Sequence, residues 1–219
     1  MSRSVLVISP HGLDEALGCG GAMARHADEG DAVHVLIVCG DGTGRDAARR
    51  AAAQKAAQVL GAKPPRFAGF PENRSDTVPL GEIIGAIERC VAEVKPAAVY
   101  VSHGGNLNID HQTCYRAAVT ALRPVPGSPV RAIYAYEILS STDWATPGIG
   151  APFLPNRFVD IGAQLERKMA ALAAYGDEMR PAPHARSLGA VRALAALRGG
   201  TAGLDCAEAF EVTREIVAA

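Results

Sequence analysis

The sequence lacks the features that would take this chain into a membrane or onto nucleic acid. No stretch approaches the roughly 18–20 consecutive apolar residues that a membrane-spanning helix needs. The apolar run at the N-terminus is too short for a signal peptide and leads directly to His11, Asp14 and Glu15. The 22 basic and 23 acidic residues are mixed along the chain, and no basic block is longer than the pair Arg49–Arg50. We therefore expect neither nucleic acid nor an anionic membrane surface as the main partner.

Cysteine patterns that would indicate a disulfide framework or a cysteine metal site are also missing. The five cysteines are odd in number and scattered, and no two of them form a Cys-x-x-Cys pair. Such cysteines are typical of buried thiols in a reducing compartment, so we expect a cytoplasmic protein. The chain of 219 residues is 48% hydrophobic, which suffices for one well-filled core but is short for two. We expect a single domain over residues 1–219.

Short apolar runs rich in β-branched residues alternate with segments of helical periodicity. The predicted strands are 4–9, 32–39, 67–71, 97–102 and 132–138, and the predicted helices are 15–30, 45–61, 80–94 and 110–122. This alternation favours parallel strands with helices on both faces of the sheet. The predicted fold is therefore α/β, a Rossmann-like three-layer α/β/α sandwich with a mostly parallel sheet.

The order of elements changes after residue 156. The pattern predicts an edge strand over 158–161 and helices over 164–175 and 188–198. We expect this C-terminal segment, about residues 156–219, to fold back over the active-site edge.

Polar side chains follow three of the predicted strands, at the point where each strand ends. His11 and Asp14 follow the first strand, Asp41 follows the second, and the segment from His103 to His111 follows the third. Ligands of open α/β sheets bind beyond the carboxyl ends of the strands. Two histidines and an aspartate on adjacent loops there can hold zinc with an open fourth position, as in hydrolytic zinc sites.

Two motifs carry a resemblance to a known family. The first is His11-Gly12-Leu13-Asp14-Glu15 followed by Leu17-Gly18-Cys19-Gly20-Gly21, and the second is Asn106-Leu107-Asn108-Ile109-Asp110-His111. Both resemble motifs of the PIG-L/LmbE-like zinc deacetylases, which remove acetyl groups from N-acetylglucosamine-type sugars. Similarity continues along the chain in FPENRSDTVPL (70–80), ALRP (121–124), SSTDW (140–144), PNRFVDI (155–161), PHARS (183–187) and AEAF (207–210).

The resemblance implies a metal-dependent hydrolase that removes an N-acyl group from an amino sugar or a nucleotide-linked N-acetyl sugar. His11, Asp14 and His111 match the family's zinc ligands, which implies one Zn²⁺ per chain, with another divalent metal as the alternative. The family's general base would stand at position 13, where this chain has Leu13. Because a general base typically contributes 10²–10⁴-fold to the rate, its loss weakens catalysis without removing the metal's contribution.

Three residues are candidates for a displaced base: Glu15, Asp41 and His103. For Glu15 the alternative is a structural role at the start of the helix. His103 or His184 would support the oxyanion or protonate the leaving amine. We interpret Asp110 as both an N-cap and a partner of the metal site.

Six further residues are candidates for substrate binding: Asn73, Arg74, Asn106, Asn108, Trp144 and Arg186. Asn106 and Asn108 also depart from the family pattern, since relatives carry an aspartate or, in another branch, a histidine at these positions. Trp144, the only tryptophan, either stacks on a sugar or closes the core.

Leu13 keeps other functions open. One alternative is a metal- or sugar-binding homologue without turnover, and another is a partner-binding subunit with a vestigial site. A dinucleotide-dependent oxidoreductase is disfavoured because the first strand–helix turn is His-Gly-Leu-Asp and lacks the glycines of that fingerprint. The resemblance also allows a homo-oligomer.

Overall fold

The sheet of this protein is built around five parallel strands. The computed structural model describes residues 2–40, 44–148 and 150–217. Within them the parallel strands are β1 (Ser4–Ser9), β2 (Ala32–Gly40), β3 (Arg66–Pro71), β4 (Ala98–Ser102) and β5 (Ala132–Tyr136). Two later strands, β6 (Arg157–Asp160) and β7 (Ala207–Glu215), complete the sheet in the order β3-β2-β1-β4-β5-β7-β6. Strand β7 is antiparallel to both of its neighbours.

Helices cover both faces of the sheet. They are α1 (Asp14–Asp28), α2 (Gly44–Leu60), α3 (Leu80–Val94), α4 (Ile109–Ala121), α5 (Leu165–Ala173) and α6 (Leu188–Ala202). Alternate residues of β1 enter the two cores: Val5 and Val7 pack on the side of α1, α2 and α5, and Leu6 and Ile8 pack on the side of α3 and α4. The predicted three-layer α/β fold with a mostly parallel sheet is confirmed.

The sequence pattern did not predict β7. Its residues Ala207–Phe210 are buried, but the strand continues into a partly exposed stretch with Glu211, Arg214 and Glu215. Such a half-covered strand lacks the continuous apolar run by which the central strands were found. Its insertion between β5 and β6 leaves β6 at the edge of the sheet, as the sequence predicts.

Helix α1 is bent at Cys19, whose backbone is not helical (φ −144°, ψ 22°). Two glycines beside the bend lie in close contact with the core. A Cβ on Gly18 would overlap the Tyr136 ring, and one on Gly21 would lie 2.6 Å from Ile161. This packing explains the glycines of the Leu-Gly-Cys-Gly-Gly motif.

Among the described residues, no helix is both long enough and apolar enough to cross a membrane.

Candidate metal centre

Three side chains meet at the carboxyl edge of the neighbouring strands β1 and β4. His11 lies just after β1, Asp14 is the first residue of α1, and His111 lies in the first turn of α4. Asp14 Oδ2 is 3.2 Å from His11 Nδ1 and 3.2 Å from His111 Nε2. One nitrogen or oxygen from each residue lies within 4.8 Å of the other two. The structure thus brings together the three residues proposed from the sequence as metal ligands.

The charges around His11 favour a cation at this point. Burial lowers the pKa of His11, but hydrogen bonds to Asp110 and Asp14 outweigh it and raise the pKa to about 10. Burial raises the pKa of Asp14, but the two histidines outweigh it and hold the pKa well below its usual range. Asp14 is therefore ionised at neutral pH, and a divalent cation would take the place of the protons between its carboxylate and the two imidazoles.

The donor set fits zinc. Two imidazole nitrogens and one carboxylate oxygen with room for a fourth ligand are typical of catalytic zinc sites. His11 Nε2 donates to Asp110 Oδ2 at 2.8 Å, and a carboxylate in this position commonly orients a metal-bound histidine. Nδ1 of His111 is buried and has no hydrogen-bond partner among the described residues.

Asp110 is held by three donors. Its Oδ2 also accepts from the backbone N–H of Asn73, and its Oδ1 accepts from that of Ser75 at 3.1 Å. The predicted role of Asp110 as N-cap is wrong, because the N-cap of α4 is Asn108, whose side chain accepts from the Asp110 N–H at 2.8 Å. Asp110 is instead in the first turn, where its side chain is free to reach His11.

A cavity of about 250 Å³ opens at the three side chains. Hydrogen-bonding groups dominate its walls, and its lining residues are His11, Gly12, Leu13, Asp14, Arg49, Glu72, Asn73, Asn108, His111, Ile138, Leu139, Ser140, Ser141, Glu178 and Arg186. Of the substrate-binding candidates, this lining includes Asn73, Asn108 and Arg186. Nη1 of Arg186 lies 3.8 Å from Glu178.

Sequence reasoning missed three charged residues of this cavity. Arg49 from α2 donates to Glu72 at 2.6 Å and to Glu178 at 3.0 Å. These bonds join α2, the loop after β3, and the turn after α5 across one wall. The segment FPENRSDTVPL, already singled out, contained a signal for Glu72, but no local pattern marked Arg49 or Glu178.

Leu13 and Glu15 lie on either side of Asp14 in the sequence, and of these two only Leu13 lines the cavity. Leu13 is buried and has a positive φ of 99°, a region that leucine rarely occupies. Its N–H donates to Glu15 Oε2 at 3.0 Å, and the Tyr175 hydroxyl donates to the other oxygen of Glu15. Burial raises the pKa of Glu15 to about 7 against these hydrogen bonds. Glu15 is 3% exposed and does not line the cavity.

His103 does not line the cavity either. Its Nδ1 is 2.7 Å from Glu211 on β7, and its Nε2 is 2.9 Å from the Ala151 carbonyl. Asp41, the third candidate base, lies outside the described residues.

Four other candidates lie near the cavity without lining it. Trp144 is half exposed and meets the His184 ring edge-on, at 5.4 Å between centroids. Asn106 is fully buried and binds Ser141 and Thr142, so it joins the loops after β4 and β5. Arg74 is exposed at the turn Ser75–Thr77.

Two proteins and one solved structure are similar to this chain over most of its length. It is 27% identical over 193 residues to the Bacillus cereus protein described as probable N-acetyl-alpha-D-glucosaminyl L-malate deacetylase 2, covering 80% of this chain and 83% of that one. It is 26% identical over 166 residues to the uncharacterized deacetylase YaiS of Escherichia coli K12, covering 73% and 82%. The solved structure of the conserved protein TT1542 from Thermus thermophilus superposes with a TM-score of 0.77 at 26% identity, covering 99% and 97%.

The model of one protein family spans the segment that carries the three clustered side chains. This model, described as PIG-L, GlcNAc-PI de-N-acetylase, matches residues 6–122, which is more than half of the chain. The matched segment runs from β1 to the end of α4 and includes His11, Asp14 and His111. This chain therefore belongs to the PIG-L family of de-N-acetylases.

Proposed function

We propose that this protein is a zinc-dependent deacetylase that hydrolyses the N-acetyl group of an amino sugar or of its conjugate. The cluster of His11, Asp14 and His111 at the end of a polar cavity is the observation that carries this proposal. Zinc bound there would supply Lewis acidity toward the amide carbonyl and would lower the pKa of water. His11, held by Asp110, and Asp14, at the start of α1, would fix the metal in place.

The cavity suits a hydroxylated ring. Arg49, Glu72, Asn73 and Asn108 present donors and acceptors along one side, and a sugar needs such groups for its hydroxyls. Ser140 and Ser141 line the cavity as well. The described relative of Bacillus cereus is named for an N-acetylglucosaminyl conjugate, which favours the same sugar here. We propose N-acetylglucosamine carried on a second group, such as malate or a nucleotide, as the substrate class.

Hydrolysis would proceed without the usual base beside the metal. Among the described residues, Leu13 cannot accept a proton and neither Glu15 nor His103 lines the cavity; Asp41, the third candidate base, lies outside them. Glu72 and Glu178 line the cavity, but each accepts a hydrogen bond from Arg49. An adjacent guanidinium favours the ionised carboxylate, which makes each a poorer proton acceptor but still able to bind substrate hydroxyls. We expect turnover about 10²–10⁴-fold below that of an enzyme with a well-placed base.

The N-terminal and C-terminal parts of the chain both contribute residues to the proposed site. Glu178 and Arg186 come from the C-terminal segment and line the cavity with His11 and Asp14. We therefore propose one catalytic domain. We also propose a reducing, cytoplasmic location, because all five cysteines are free thiols.

Acetate release tests the function. The wild type and His111→Ala, each incubated with Zn²⁺, would be assayed on an N-acetylglucosaminyl conjugate for free acetate and free amine. His34→Ala is the matched control, because His34 lies on β2 outside the cavity. We expect the wild type and the control to release acetate and amine in equal amounts and at similar rates. His111→Ala should release neither product. Acetate release by His111→Ala at the wild-type rate would refute the assignment.

The second candidate function is a metal- or sugar-binding protein without turnover, which Leu13 favours. It would bind about one zinc or the sugar, and it would release no acetate.

A further inference from the structure

The bend in α1 divides the helix into two parts with different tasks. The first part, Asp14–Gly18, carries Asp14 and Glu15 beneath the cavity, and the second part continues to Asp28. The direction of the short first part therefore sets where Asp14 lies. Some interaction must hold the bend open, since a continuous α-helix would satisfy its backbone groups internally.

We propose that the buried ion pair Lys168–Glu208 holds this bend open and thereby positions Asp14 for metal binding. Lys168 comes from α5 and Glu208 from β7, and their side chains are 4% and 5% exposed. Lys168 Nζ donates to Glu208 Oε1 at 2.6 Å. The inference rests on the metal site proposed above.

The pair binds both sides of the bend. Lys168 Nζ donates to the Leu17 carbonyl at 2.8 Å, at the end of the first part. Glu208 Oε1 accepts from the Gly21 N–H at 2.8 Å, and its Oε2 accepts from the Ala22 N–H at 2.7 Å, at the start of the second part. A carboxylate at a helix start and an ammonium at a helix end also match the helix dipoles.

These contacts occupy the partners of a normal helical bond. In a regular α-helix the Gly21 N–H donates to the Leu17 carbonyl, four residues earlier. Here the Gly21 N–H donates to Glu208, and the Leu17 carbonyl accepts from Lys168, with the ion pair linking the two. Removal of both charged side chains would leave Gly21 and Leu17 free to bond each other, so the helix could straighten and move Asp14.

The double variant Lys168→Met/Glu208→Leu separates positioning from stability. A single substitution leaves a buried charge without its partner and is strongly destabilising, whereas replacing both charges by apolar side chains is often neutral. The matched control is Arg198→Met/Glu137→Leu, which removes a bidentate ion pair with distances of 2.7 Å. This pair joins α6 to the residue after β5 and lines a small cavity together with Lys168 and Glu208, but it makes no hydrogen bond to the described residues of α1. The control therefore tests the loss of a neighbouring ion pair that does not bind the bend.

The measurement is the affinity for Zn²⁺, by competition with a chromophoric chelator, together with the ligand-field spectrum of bound Co²⁺. Circular dichroism and the unfolding midpoint verify that each variant is folded at the assay temperature. We expect the double variant to bind Zn²⁺ at least about tenfold more weakly, which is the effect typical of losing a group that orients a metal ligand. The spectrum of bound Co²⁺ should also change. The control should bind like the wild type.

Wild-type affinity and an unchanged spectrum in the folded double variant would overturn the inference while leaving the metal site intact. Absence of metal binding in the wild type would overturn the proposed function and the inference with it. If the double variant does not fold, Lys168→Met/Glu208→Gln replaces it, because it leaves no buried charge unpaired and its amide offers one acceptor oxygen where the carboxylate offers two. We expect at least about threefold weaker binding from that variant, and unchanged affinity would overturn the inference.

Discussion

Asp110→Asn is the substitution whose effect on the metal site follows most directly from the hydrogen bonds. The carboxylate is fully buried and accepts from three donors: the His11 ring, the Asn73 N–H and the Ser75 N–H. An amide of the same shape has one acceptor oxygen, and its NH₂ group can only donate. In one orientation the NH₂ faces Ser75, and in the other it faces both Asn73 and His11. At least one buried donor is then left without an acceptor.

The cost follows from that count. One unsatisfied buried donor costs about 1–3 kcal/mol of the free energy of unfolding. The effect on metal binding is separate, because the ring of His11 loses a carboxylate that fixes its orientation. Loss of such a partner typically weakens metal affinity by about 10–100-fold. Burial raises the pKa of Asp110, but the hydrogen bonds from His11, Asn73 and Ser75 outweigh it and lower the pKa to about 2, so the carboxylate is ionised throughout the neutral range.

The assay is the dissociation constant for Zn²⁺, measured for the wild type, Asp110→Asn and Asp76→Asn. Asp76 is an exposed carboxylate in the turn that also contains Ser75, so Asp76→Asn makes the same chemical change nearby. We expect the control to bind like the wild type. Equal affinity of Asp110→Asn and the wild type would refute the view that Asp110 orients His11 as a ligand.

Further predictions concern packing and pH. Gly18→Ala should lower the free energy of unfolding by roughly 1–3 kcal/mol, and the denaturant midpoint with it. The added Cβ would overlap the fully buried Tyr136 ring. Gly85→Ala, where the nearest atom is the flexible end of Arg89 at 3.5 Å, should instead stabilise α3 by about 1 kcal/mol; equal midpoints for the two variants would contradict the packing argument. Burial lowers the pKa of His103, but its bonds to Glu211 and the Ala151 carbonyl outweigh it and raise the pKa above the ordinary value. Folding therefore favours the protonated ring, and the resulting stability is present below about pH 6.5 and is lost as the pH rises through the raised pKa. The difference in unfolding midpoint between the wild type and His103→Gln should shrink across that range, and a constant difference would contradict this.

The central part of the fold could be predicted because its strands are buried on both faces. Strands β1, β2 and β4 are nearly continuous apolar runs, and each is followed by a helix with clear periodicity. Their order along the chain was enough to place His11 and Asp14 near His111. Strand β7 was not predicted from the sequence, because its second half is partly exposed and charged.

The failure to predict β7 also explains why the surroundings of His103 were missed. His103 follows a strand end, as a site residue would, but its partner Glu211 lies on β7. The wall formed by Arg49, Glu72 and Glu178 was hidden for a related reason, since these residues come from three separate elements. The predicted N-cap, Asp110, lies two residues beyond the observed one, Asn108, and because asparagine and aspartate are similarly favoured as N-caps, side-chain preference does not resolve such a shift.

The most direct test of the proposed deacetylation compares the wild type with Leu13→Asp at equal zinc content. Aspartate tolerates a positive φ better than leucine, so position 13 can accept it with less backbone strain. We predict that the wild type releases acetate slowly from an N-acetylglucosaminyl conjugate and that Leu13→Asp raises kcat by up to about 10²–10⁴-fold. Acetate release by Leu13→Asp alone, with none from zinc-loaded wild type, would contradict the proposal and identify the natural protein as one that binds without hydrolysing.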